Sequence, residues 1–156
     1  MALEAGDKAP DFTLPTDGNG SVTLSKLKGK QVVLYFYPKD DTSGCTAEAC
    51  SFRDSLPRFK KMDATVIGVS RDSIAAHDKF KKKYALPFTL AADTEGKVTE
   101  KYGVWVEKSM YGRKYMGIER ATFLIDPKGT IKQVWHKVKV SGHADEVLAA
   151  VNAKET

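Results

Sequence analysis

The run Gln31–Tyr37, QVVLYFY, leaves this chain the fewest choices of fold. Its side chains are β-branched or aromatic almost without interruption, and no polar alternation marks a wet face. The run is too short for a buried helix, so it reads as a central strand covered on both faces. Such a strand needs partner strands beside it and helices above and below. Pro38 ends it, because proline has no N–H to continue the ladder. ATVIGVS, Ala64–Ser70, is a second strand of the same kind.

The remaining segments alternate in type. DFTLPTDGNGSVTL reads as an N-terminal β-hairpin around a Gly/Asn/Asp turn. CTAEACSFRDSL reads as a helix that Pro57 is expected to kink or restart. SIAAHDKFKKKY is an amphipathic helix whose Ile74, Phe80 and Tyr84 share a face. FTLAAD is a short strand, and KVTEKYG a short helix with Gly103 suited to its C-cap. RATFLIDPKGTIKQVWH reads as two strands around the turn Asp126–Gly129. A last helix, capped by Ser141, carries Ala144, Val147, Leu148 and Val151. Val104–Gly117 reads as a long irregular piece, with Trp105, Tyr111 and Tyr115 expected to pack on the core edge. The pattern predicts an α/β architecture, a central mixed β-sheet flanked by helices.

The chain has 156 residues, so one domain spanning 1–156 is expected against a prior of roughly 100 to 200 residues each. No apolar run approaches the roughly 20 residues of a membrane span. The opening MALEAGDKAPDF carries acids and no apolar core, so it is neither a signal nor a transit peptide, and a cytoplasmic location is expected. A net charge of +5 does not by itself mark a nucleic-acid site, because acids interleave with the lysines. Lys79–Lys83 reads as a solvated helix face. His77, His136 and His143 lack paired ligand spacing, so no metal is expected.

Two cysteines remain, Cys45 and Cys50. In a reducing compartment a permanent disulfide is disfavoured, which leaves redox chemistry or two inert buried thiols. Cys45 follows the buried strand, a polar turn and Gly44, and it opens a helix. Unpaired N–H groups and the helix dipole favour thiolate over thiol there, and the thiolate is the nucleophile. Thr42 has two uses, offering its hydroxyl to the sulfur or a bound oxygen, or capping the helix. Glu48 lies one turn after Cys45 on the same face. Arg120 opens a strand, where a charge projects readily into a cleft. Together they describe a thiolate, a cation to stabilise it and a carboxylate to orient the cation.

Pro38, Thr42 and Cys45 within PKDDTSGC reproduce the Pro-x-x-x-Thr-x-x-Cys signature, so the chain resembles the peroxiredoxins. TSGCTAEAC, GDKAPDFTLP, VVLYFYP and YMGIERATFLIDPKG extend the resemblance to the bacterioferritin-comigratory, or peroxiredoxin Q, group. The resemblance implies a thioredoxin-like fold and thiol-dependent reduction of hydrogen peroxide and organic hydroperoxides, with no cofactor. It assigns Cys45 as the peroxidatic cysteine, Cys50 as the resolving cysteine, and Thr42, Pro38 and Arg120 as the surrounding shell. Gly44, Thr42 and Arg120 would hold the peroxide, with Glu48 in support. Ser43 stands where the group usually has proline. Thioredoxin or a similar dithiol is the implied reductant, and a monomer without nucleic-acid or membrane partners is expected. Five residues along a helix separate Cα atoms by about 8.6 Å, whereas a disulfide tolerates at most about 7 Å. Pairing of the two cysteines would therefore require the turns around Gly44–Asp54 to unwind.

Overall fold

A computed structural model describes residues 3–153, so the outermost residues of the expected 1–156 span lie outside the described ones. The buried run becomes β3 (Gln31–Phe36), preceded by a hairpin of β1 (Thr13–Thr16) and β2 (Gly20–Thr23). It is followed by α1 (Ser43–Lys61), β4 (Ala64–Ser70), α2 (Ile74–Tyr84), β5 (Thr89–Ala92) and α3 (Lys97–Lys101). Then come β6 (Trp105–Met110), β7 (Arg113–Ile118), β8 (Ala121–Ile125), β9 (Ile131–Trp135) and α4 (His143–Asn152).

Seven strands form one mixed sheet in the order β2-β1-β5-β4-β3-β8-β9. β3, β4 and β5 run parallel, and β8 joins β3 antiparallel. The expected mixed sheet flanked by helices and the N-terminal hairpin are both present. Alternate residues of β3 feed two cores. Val32, Leu34 and Phe36 pack with Phe12, Tyr102 and Phe123 on one face. Val33 and Tyr35 pack with Phe52 and Phe59 of α1, Phe80 of α2 and Val147 of α4 on the other. No helix among the described residues is long and apolar enough to cross a membrane.

Three expectations need correction. Val104–Gly117 is a β-hairpin, not an irregular piece: β6 and β7 pair from Trp105↔Ile118 to Met110↔Arg113. Its turn, Tyr111–Gly112, has positive φ at both residues, 52° and 79°, the geometry of a tight hairpin turn built here on Tyr-Gly. Most of its side chains are exposed, so no alternation of buried residues announces the strands. Trp105 does pack on the core edge, under the Arg71 guanidinium at 3.3 Å, but Tyr111 is fully exposed and Tyr115 is exposed as well. α1 runs through Pro57 as one helix. An internal proline costs about 3 kcal/mol, but Phe52, Leu56 and Phe59 are buried around it, each contributing about 1.5–3 kcal/mol. Finally, α4 is capped by Gly142 at φ 75°, with Ser141 one residue outside. The lysine run is a charged face as expected, with Lys81 paired to Asp17 and Lys83 to Asp41.

Gly68 of β4 lies beneath the ring of Tyr35. A Cβ there would be 2.9 Å from the Tyr35 Cζ and hydroxyl oxygen and 3.1 Å from Leu90 Cδ2. The ring is stacked on Phe52, with centroids 4.7 Å apart, and has little room to retreat. Gly68→Ala is expected to destabilise the fold by about 1–3 kcal/mol. Urea unfolding would register this as a lower midpoint at constant m-value; an unmoved midpoint would mean that the ring can shift.

Candidate active site

The parallel order of the central strands brings the carboxyl end of β3, the loop after it and the start of α1 to one edge of the sheet. The antiparallel pairing of β8 supplies the rest. Phe36 is opposite Ala121, so Arg120, just before β8, arrives beside the end of β3. Its Nη2 donates to Cys45 Sγ at 3.4 Å, and its Nη1 donates to Glu48 Oε1 at 2.7 Å. Cys45 and Glu48 are each only 1% exposed. One guanidinium therefore serves a thiol and a carboxyl that lie one helical turn apart. Gly44 leaves room for it, since a Cβ at that position would approach Arg120 Nη2 to 3.0 Å.

Thr42 occupies the N-cap position of α1, but its hydroxyl makes no capping bond and no bond to the sulfur. The hydroxyl instead donates to the Lys39 carbonyl at 2.8 Å, which commits its proton and leaves its oxygen free to accept. Pro38 closes β3 and is half-buried at the head of the same loop. Cys50 is half-buried further along α1, and both cysteines are free thiols. The helix is unbroken through both positions. Sequence reasoning left Asp40 and His77 without roles, yet they meet beneath the loop, His77 Nδ1 lying 2.6 Å from Asp40 Oδ2. They are far apart in the chain, and only the placement of α2 against the sheet joins them.

Residues 5–134 match the AhpC/TSA family. The chain belongs to that family, in its Bcp, or peroxiredoxin Q, branch. It is 57% identical over 148 residues to a putative peroxiredoxin Bcp of Coxiella burnetii, covering 95% of this chain and 98% of the relative. It is 54% identical to peroxiredoxin Bcp of Bacillus subtilis, covering 95% and 94%. Among solved structures, the bacterioferritin comigratory protein of Xanthomonas campestris, studied for alkyl peroxide reduction, superposes with TM-score 0.89 at 44% identity, covering 95% and 97%. A cysteine-to-serine mutant of Xylella fastidiosa PrxQ gives TM-score 0.91 at 41% identity, covering 96% and 95%.

The charges of this peroxiredoxin site are coupled. Burial pushes the Glu48 carboxyl up to about 7, and the ion pair with Arg120 offsets that only in part. The physical reason is visible at its second oxygen: Oε2 is buried with no hydrogen-bond partner among the described residues. Burial also works against the Arg120 cation, but Glu48 and Cys45 more than compensate, so it stays charged. Half-protonated Glu48 still accepts from Arg120 through Oε1, so orientation survives while charge is tuned.

The folded state thus binds the Glu48 proton more tightly than the unfolded chain does. The stabilisation from that proton is complete below pH 4.5, the ordinary value, and is lost as pH rises through about 7. Glu48→Gln keeps an acceptor for Arg120 but cannot ionise. Relative to the unaltered chain it should gain up to about 3 kcal/mol across this window, read from urea unfolding at the two ends. Parallel stability curves would mean that Glu48 is ionised throughout.

Proposed function

We propose that this chain is a thiol peroxidase that reduces hydrogen peroxide and organic hydroperoxides through Cys45. The contact that carries the reading is the Arg120 guanidinium shared between Cys45 Sγ and Glu48. It places a fixed positive charge beside a sulfur that also heads a helix, where negative charge developing during the reaction is stabilised.

The Cys45 thiolate attacks one peroxide oxygen along the O–O axis. An S–O bond forms, the O–O bond breaks, and sulfur is oxidised to the sulfenic acid as the peroxide is reduced. The leaving hydroxide or alkoxide takes up a proton, balancing the one released when the thiol ionised. Arg120 and the free N–H groups of the first turn of α1 stabilise the charge that develops on the leaving oxygen. Thr42, its proton held by Lys39, accepts from the hydroperoxide O–H. Pro38 shields the pocket and Gly44 gives the substrate and guanidinium space. Cys50 then displaces water from the sulfenic acid to form an intramolecular disulfide, which a thioredoxin-type dithiol reduces. Sulfur carries both electrons, so the scheme assigns no metal or organic cofactor. The protein acts as a monomer, because both cysteines belong to one chain and their pairing needs no second subunit.

The second step dictates a conformational change. The reduced helix holds the cysteine Cα atoms at about 8.6 Å by helical geometry, and a disulfide needs less than about 7 Å. Residues 44–54 unwind on oxidation and refold on reduction.

One equivalent of hydrogen peroxide should remove both free thiols and two hydrogens' mass from a monomer, and amide exchange across residues 44–54 should accelerate. Cys45→Ser should abolish peroxide consumption, and Cys50→Ser should stop at the sulfenic acid. Undiminished consumption by Cys45→Ser would sink the peroxidase assignment. Equal exchange protection in both redox states would refute the unwinding.

A further inference from the structure

The loop between β3 and α1 is held from below by contacts that the scheme above leaves unused. Asp40 is buried within it. Its Oδ1 accepts the Tyr37 hydroxyl at 2.5 Å, and its Oδ2 lies 2.6 Å from Nδ1 of His77 on α2. Its own N–H donates to Asp72 Oδ2 at 2.8 Å, an oxygen that also accepts the Ser70 hydroxyl at 2.6 Å. The His77 side chain has no exposed surface, and its Nε2 is 2.9 Å from the Ala91 carbonyl on β5.

This geometry counts protons. A carbonyl oxygen only accepts, so Nε2 carries a hydrogen. Nδ1 and a carboxylate oxygen at 2.6 Å would repel as two acceptors unless a proton lies between them. Moving the Nε2 hydrogen to Nδ1 transfers the problem to Ala91. The pair therefore holds one proton more than a neutral imidazole beside a carboxylate.

We propose that His77 is a positioning residue for peroxide reduction: the proton it shares with Asp40 locks the Lys39–Thr42 turn ahead of Cys45, and loss of that proton releases the turn and slows the attack. The inference rests on the reading of Cys45 as the nucleophile. The turn needs a lock because Asp41 sits at φ 61°, a left-handed conformation held only from outside. The Asp41 contacts to Lys83 Nζ and the Tyr84 hydroxyl, both 2.9 Å, are exposed and screened by water. The buried Asp40–His77 contact is the stronger hold. Lys39, next to Asp40, supplies the carbonyl that fixes the Thr42 hydroxyl, so a shift at Asp40 passes directly to the atom that would meet the peroxide.

Three ionisable groups face the imidazole: Tyr37 just after β3, Asp40 from the loop and Asp72 from the β4–α2 turn. Burial alone would depress the imidazolium, but the Asp40 and Ala91 contacts with the Asp72 charge hold it above its ordinary range. Burial keeps Tyr37 neutral well beyond that range. The lock is consequently closed at neutral pH and opens on the alkaline side.

The test compares kcat/KM for hydrogen peroxide from about pH 6 to about pH 10 with the His77 ring nitrogens followed by 15N NMR. In the unaltered protein, kcat/KM should fall roughly tenfold as the ring deprotonates, at the lower end of what misplacing a reacting group costs. Asp40→Asn should lose that fall, because an asparagine N–H donates to neutral Nδ1 while its oxygen still accepts from Tyr37. His77→Phe should be roughly tenfold slower at every pH. A variant that was merely less stable would be slower without moving the alkaline limb. The inference is overturned if Asp40→Asn declines like the unaltered protein, or if His77 deprotonates with no change in rate. Peroxide consumption by Cys45→Ser would instead overturn the underlying peroxidase reading.

Discussion

Everything at this site depends on a single guanidinium held between two acids. Arg120 lies just before β8, a strand whose own residues are all buried. Here the antiparallel pairing of β8 with β3 delivers it to the first turn of α1, where Cys45 and Glu48 are stacked one turn apart. A buried charge pair of this kind is weak evidence for stability, since desolvation consumes most of the attraction. Removing one partner, however, leaves the others buried and uncompensated, which costs about 3–5 kcal/mol. The arrangement is therefore cooperative: the arginine holds the carboxyl, and the carboxyl aims the arginine at the sulfur.

The loop preceding Cys45 shows the same logic with different groups. It leaves β3 at Pro38, turns through a left-handed aspartate and enters the helix at Thr42. No regular ladder supports those residues, so their hydrogen bonds go to α2 and to the turn before it. The helix on one side of the loop carries the thiol, and the helix beneath it carries the groups that hold the loop. A conformational change confined to the first turns of α1 can then leave Asp40 and Asp41 anchored, because their partners belong to a different element.

Much of this was legible before any coordinates. The buried strands declared themselves by unbroken β-branched and aromatic runs, and ATVIGVS forms β4 to the residue. The Cys45 neighbourhood was legible because the relevant residues, Pro38 to Glu48, are local. Where the reading failed, a tertiary effect outweighed a local rule. Pro57 sits inside a continuous helix because aromatic packing on both sides exceeds the cost of one missing bond. The β6–β7 hairpin escaped notice because exposed strands have no buried face to impose alternation, and its turn uses Tyr-Gly. Thr42 was read as a cap or as a partner of the sulfur, and its hydroxyl turned instead to Lys39.

The sequence by itself determined the strand–helix alternation, the exit of the chain at Pro38 and the position of a thiol at a helix start. These follow from interactions between residues a few positions apart, which composition and spacing encode directly. The tertiary structure alone decided that Arg120 reaches both Cys45 and Glu48, that Glu48 keeps one oxygen without a partner, and that His77 lies against Asp40. Those are meetings between residues 37 to 75 positions apart. Their geometry is set by sheet order and register, and no local preference of either partner carries that information.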